Sequence, residues 1–324
     1  MRKTLIAAAA ALTAFAGAAA AQDWPTRNIT LIVPFAPGGG LDGSARIQAQ
    51  RLSELLGAQI VVENIGGAAG TIGSARVAKA APDGYTFLMG NIGTHAYSQA
   101  LRKVPPYNAV ADFTPVGLVT DSPRILLTRK DLPVNNIKEF VAYVKANQKK
   151  MQYGSAGVGS GTHVPCARLN LAMGVNVTMV PYRGAGPVMQ DLIAGRLDYF
   201  CDTIQTGAVQ AKAGSVKGLA VMWPTRLPII PNLATTGEQG LANVEATAWN
   251  AFFFPKGTPE PIVRKMNKAL NDMIEDAVTR KRLEDLGLVI APRERRTPEY
   301  LAKYVKEEVE RWSKVIKAAG ISLD

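Results

Sequence analysis

One unit, met twice along the chain, constrains the fold more than any other feature: a short apolar strand, a glycine-rich turn, then a helix. In the first copy Ile29 to Phe35 is apolar and runs into Pro37-Gly38-Gly39-Gly40. Ala45, Ile47, Ala49, Leu52, Leu55 and Leu56 then recur at helical spacing and stop at Gly57. A strand over Gln59 to Glu63, a helix over Ala69 to Ala80 and a strand over Tyr85 to Met89 follow, the last two parted by the turn Pro82-Asp83-Gly84. Such a βαβαβ order implies a parallel sheet covered by helices.

The series restarts after Asp121. Arg124 to Thr128 reads as a strand, Ile137 to Lys145 as a helix, and Met151 to Gly154 as a strand leading into a second glycine-rich turn. A helix over Thr162 to Met173, a strand over Val177 to Val180, a helix over Pro187 to Ala194 and strands over Leu197 to Cys201 and Val216 to Met222 complete it. Two runs of one unit predict two similar α/β lobes. Val116 to Asp121 and the strand-like Ala246 to Phe254 are the candidate crossings between them. Thr258-Pro259-Glu260 and Thr297-Pro298-Glu299 each read as a helix start, and Gly320 as the stop of the last helix.

The N-terminus reads as an export leader. Arg2 and Lys3 precede an uncharged apolar run, Leu5 to Ala20, and Ala19-Ala20-Ala21 offers a small-residue cleavage site, so residues 1–21 are the expected signal peptide and the mature chain begins near Gln22 in the periplasm. The run is shorter than the ~20 residues of a membrane span. Of 37 basic and 26 acidic residues in the whole chain, the leader holds two basic ones, which leaves +9. An exported chain with scattered basic residues and no interleaved aromatics does not read as a nucleic-acid binder; the balance favours small anions. The two cysteines, Cys166 and Cys201, fit either a disulfide or two buried thiols, and the clustered His/Cys/acid pattern of a metal site is absent.

The chemistry concentrates in the two turns, Pro34 to Asp42 and Ser155 to His163. In each, glycines let backbone N–H groups approach a guest, and the helix that follows offers unpaired donors and a partial positive charge. Two such ends facing each other would hold a carboxylate without any arginine. Gly38, Gly40 and Gly43 also satisfy GxGxxG, with Glu63 twenty residues further on, but a soluble dinucleotide is scarce outside the cytoplasm and Asp42 would repel its pyrophosphate. A hydrolase would need Ser155 or Ser160 with His163 or His95, and Gly-Val-Gly-Ser-Gly is not the GxSxG elbow.

At these loops the sequence resembles the substrate-binding proteins of tripartite tricarboxylate transporters, the Bug family. The resemblance extends through Val62-Glu63-Asn64, Ala80 to Tyr85, Asp112 to Val116, Pro181-Tyr182-Arg183-Gly184, Asp191 to Gly195 and Pro255 to Pro259. It implies a two-lobed Venus-flytrap fold of periplasmic-binding-protein type, each lobe a mainly parallel sheet flanked by helices. Residues 22–121 plus 252–324 would form one lobe and 122–251 the other. It also implies a non-enzymatic monomer without cofactor that closes on a small carboxylate and docks on membrane transporter subunits, or signals to a membrane sensor kinase. Carried over by motif, Phe35, Pro37, Gly38, Gly39 and Asp42 form one wall and Ser155, Gly157, Gly159, Ser160, Thr162 and His163 the other. Asp202 and Thr203 follow a strand end where α/β ligand sites gather, although Thr203 to Thr206 departs from the Asn-Leu-Pro-Ser common among relatives. Trp249 lines the cleft or packs in the core, and Arg183 offers a cation to a second carboxylate or serves an ion pair.

Overall fold

Strand β1 (Ile29–Val33) has four of its five residues buried, so helices must cover both faces of its sheet. The computed structural model, which describes residues 24–318, bears this out; the leader and Gly320 lie outside the described residues. β1 pairs in parallel with β2 (Ile60–Asn64) and with β3 (Thr86–Asn91). β3 pairs antiparallel with β9 (Thr247–Pro255), and β9 with β4 (Phe113–Arg129). In the second half β5 (Gln152–Ser155) lies parallel to β6 (Thr178–Pro181) and β7 (Tyr199–Thr203), and β4 lies antiparallel to β7 and β8 (Val216–Met222).

A single strand therefore serves both lobes. Residues Phe113 to Pro123 of β4 pair with β9, and residues Arg124 to Arg129 pair with β8. The two sheets meet between Pro123 and Arg124. β9 pairs with first-lobe strands along its whole length, so the division expected at 251/252 cuts through it. Each sheet carries an apolar layer on both faces. In the first lobe these are built around Leu31, Phe87 and Phe252 and around Leu88, Trp249 and Phe253. In the second they are built around Leu126, Phe140 and Tyr199 and around Ile125, Leu192 and Phe200.

Side-chain caps set a few of the helix starts. Asn136 caps the Ile137–Asn147 helix by accepting from the Glu139 N–H at 2.9 Å, and Glu139 accepts in return from the Asn136 side chain. Thr297 caps the Pro298–Ala318 helix through the Tyr300 N–H. The matching expectation at Thr258 is corrected. Its hydroxyl donates to the Pro255 carbonyl, and Pro259 occupies the cap of the Glu260–Glu275 helix. That helix buries Ile262, Val263, Met266, Ala269, Leu270, Met273 and Ile274, an i, i+3/i+4 stripe laid against the first lobe. Cys166 and Cys201 form a disulfide that ties the His163–Met173 helix to β7. Among the described residues no helix is long and apolar enough to cross a membrane.

Candidate ligand site in the cleft between the lobes

The Gly40–Leu56 helix begins directly after the first glycine-rich turn, with no side-chain cap, and its first backbone bond runs from the Gly43 N–H to the Gly39 carbonyl. The amides of Gly40, Leu41 and Asp42 thus lie upstream of the helical ladder. Asp42 is spent on the turn itself. Its carboxylate accepts from the Gly38 N–H and the Asn64 side chain, each at 3.0 Å, and pairs with Arg46 at 2.9 Å. Burial pushes its pKa up, but the bonds from Arg46, Gly38 and Asn64 prevail and hold it below the ordinary value. The acid fixes the loop.

The second turn is braced by its own side chains. Thr162 accepts from the Ala156 N–H at 2.9 Å, the Ser155 hydroxyl accepts from the Gly157 N–H at 3.3 Å, and His163 Nδ1 accepts from the Gly159 N–H at 3.1 Å. His163 is therefore a neutral ring with its proton on Nε2, and burial pulls its pKa to about 4. The His163 and Val164 amides bond to the Ser160 carbonyl, so those of Gly161 and Thr162 stand upstream of the second helix, which also has no side-chain cap. The Ser160 hydroxyl meets Thr162 and the His163 N–H, while His95 is buried against Phe253 with ring centroids 3.9 Å apart. Neither ring is placed to deprotonate Ser160. Glu63, the acid of the dinucleotide pattern, pairs with Arg76 at 2.8 Å.

The two turns face each other across a small, partly open cavity between the lobes. Six of the expected residues line it: Phe35, Gly39, Asp42, Ser160, Thr162 and Thr203. Pro37, Gly38, Ser155, Gly157, Gly159 and His163 stand behind them as loop framework. Asp202 is fully buried beneath Thr203, where it accepts from Thr206 at 2.6 Å. Trp249 does not reach the cleft. It is fully buried on the far face of the first sheet, where its Nε1 donates to Glu308 at 3.1 Å. Tyr182 bonds to Asp191 at 2.5 Å and Arg183 borders a separate surface pocket beside Arg102, so neither enters the cavity.

The expectation that no cationic side chain enters is corrected by Arg124. It sits on β4 opposite Thr203 of β7, only 3% exposed, and its Nε and Nη1 have no partner among the described residues. Burial lowers its pKa to about 10, against the opposing fields of Tyr97 and Asp202; the guanidinium stays charged at neutral pH. Gly161 admits it: a Cβ there would stand 2.7 Å from Nη2. On the other wall a Cβ at Gly40 would stand 2.4 Å from the Thr203 hydroxyl. Helix-end donors and a buried cation thus converge on one cavity, an arrangement that receives anions.

Residues 44–321 match the family described as the tripartite tricarboxylate transporter family receptor. The chain belongs to that family. Among solved structures the receptor is similar to the periplasmic binding protein BugD, with 39% identity and a TM-score of 0.90 over 92% of this chain and 99% of that one. It is similar also to MatC from Rhodopseudomonas palustris with bound malate, at 40% identity and a TM-score of 0.87 over 90% and 100% of the two chains. Rpa4515 of R. palustris, solved with adipate, is 34% identical with a TM-score of 0.88 over 93% and 99%. These neighbours have the two-lobed binding-protein fold.

Besides Arg124, seven lining residues of the receptor were absent from the expected site, among them Asn91, Gly161 and Ala185. Asn91 closes β3 at the carboxyl end of a parallel strand, the position that would have flagged it. Gly161 lies inside the second turn, between Ser160 and Thr162, where the run of glycines does not single it out. Ala185 begins a third helix aimed at the cleft, the Ala185–Ile193 helix, uncapped by any side chain, and Pro181-Tyr182-Arg183-Gly184 is its signal.

Proposed function

We propose that this receptor captures a small carboxylate between its lobes in the periplasm and passes it to the membrane subunits of a tripartite transporter. The observation that carries the reading is the opposition of two uncapped helix starts, Gly40 to Asp42 from one lobe and Gly161 to Thr162 from the other, across one cavity. A carboxylate seated there takes backbone donors from both lobes at once. It therefore binds the closed form better than an open one and shifts the population towards closure. The malate and adipate of two neighbours support the ligand class, and the family supports the transporter as recipient.

A thermal-shift screen of carboxylates against their amides tests the capture. A ligand present at 100 times its dissociation constant adds about 2.7 kcal/mol of stability. Acids are expected to raise the melting temperature and amides to leave it unmoved; equal shifts from both members of each pair would refute a carboxylate site.

A further inference from the structure

The donors around the cavity outnumber what one carboxylate can accept. Three backbone amides stand free of the first helix, at Gly40, Leu41 and Asp42, and two free of the second, at Gly161 and Thr162. Arg124 adds the single N–H of Nε and the two of Nη1, none of which has an acceptor among the described residues. A carboxylate offers about four lone-pair sites, roughly half of what the walls present. The charges agree with that count. Asp42, the one acid on the lining, is neutralised by Arg46 and two neutral donors, and Asp202 acts on Arg124 only through space. A guanidinium this deeply buried without a hydrogen-bonded anion is costly unless a guest supplies one.

We infer that Arg124 is the residue that reads the charge of the guest: it engages a second anionic group of the ligand, beside Thr203, while the helix ends hold the first. This rests on the reading of the cleft as a carboxylate site, and it turns that site into one that discriminates dianions from monoanions. Gly161 belongs to the device, because any side chain there would push the guanidinium out of place. The sequence offered Arg183 either for this task or for an ion pair, and the fold places it outside the cavity.

The test is isothermal titration of the full chain with succinate, glutarate and adipate, each beside its monoamide and the monocarboxylate of equal length. At least one diacid should bind the wild type about 100-fold more tightly than its monoamide, the scale on which a buried charge pair with one partner removed is felt. Arg124→Gln should abolish that ratio by weakening the diacid far more than the monoamide, and Arg124→Lys should retain part of it. If every diacid binds no better than its monoamide to the wild type, the inference about Arg124 is overturned and carboxylate capture stands. Should none of the acids bind at all, both fall. The wild-type ratio decides the matter even if Arg124→Gln does not fold.

Discussion

The carboxyl of Asp202 is fully buried, with one oxygen accepting from Thr206 and the other without a partner among the described residues, and burial pushes its pKa up to about 7. Between the ordinary value of 3.8 and about 7 the folded chain keeps a proton that the unfolded chain has lost. The contribution of Asp202 to stability therefore falls as pH rises through that interval, by about 1.4 kcal/mol per pH unit, and is level above it. His95 and His163 work the opposite way. Burial lowers them to about 3 and about 4, so acidification below 6.5 protonates the unfolded chain first and costs stability. Asp202→Asn removes only the first effect. Its stability relative to wild type, from urea unfolding at pH 4.5, 6 and 8, is expected to climb between the first two and flatten towards the last. A difference that stays constant with pH would mean that Asp202 titrates as an exposed carboxyl does.

At the level of elements, the disulfide joins the two pieces of the second lobe that face the guest: the helix that follows the second glycine-rich turn and the strand that ends in Thr203. It closes a loop over a sequence separation of 35, for which the chain-entropy relation gives about 3 to 4 kcal/mol. The Cys166→Ala/Cys201→Ala double variant should lose stability on that scale in denaturant titrations, and reduction of the wild type should reproduce the loss. An unchanged unfolding midpoint would show the bridge to be without thermodynamic weight. The elements were also the most legible part of the sequence. Apolar runs bounded by glycine and proline placed β1, β2, β3, β5, β6, β7 and β8 to within a few residues, because buried strands under two helical layers are apolar on both faces. The Ile204–Lys212 helix went unread. Gln205, Thr206 and Gly207 break its apolar stripe, and the fold uses Gly207 to rest the helix on Ile125 and Asp202. Arg124 was legible only as the first residue of a strand. Its burial depends on Gly161 and on Thr203, 79 residues further on, and no local periodicity carries such a contact.

For the molecule as a whole, the lobes touch through backbone where the first glycine-rich turn meets residues 183–186. The Ala36 N–H donates to the Arg183 carbonyl at 3.2 Å, and a Cβ at Gly186 would stand 2.8 Å from the Pro37 carbonyl oxygen. Gly186→Leu should therefore prop the lobes apart. Overpacking of this kind costs about 1 to 3 kcal/mol, here charged to the closed form alone, so affinity should fall about tenfold to a hundredfold. Small-angle scattering should show a larger radius of gyration that no longer contracts when ligand is added. Compaction equal to that of the wild type would argue that the contact is not part of closure.

Since β4 changes sheets between Pro123 and Arg124, the guanidinium lies beside the strand that joins the halves, which in the proposed closure is the axle. Points near an axle travel least, whereas the glycine turns, out at the jaws, sweep the longest arcs. On that proposal the positive charge keeps its station through the swing, and a visitor entering the parted jaws meets that fixed post before either rim arrives.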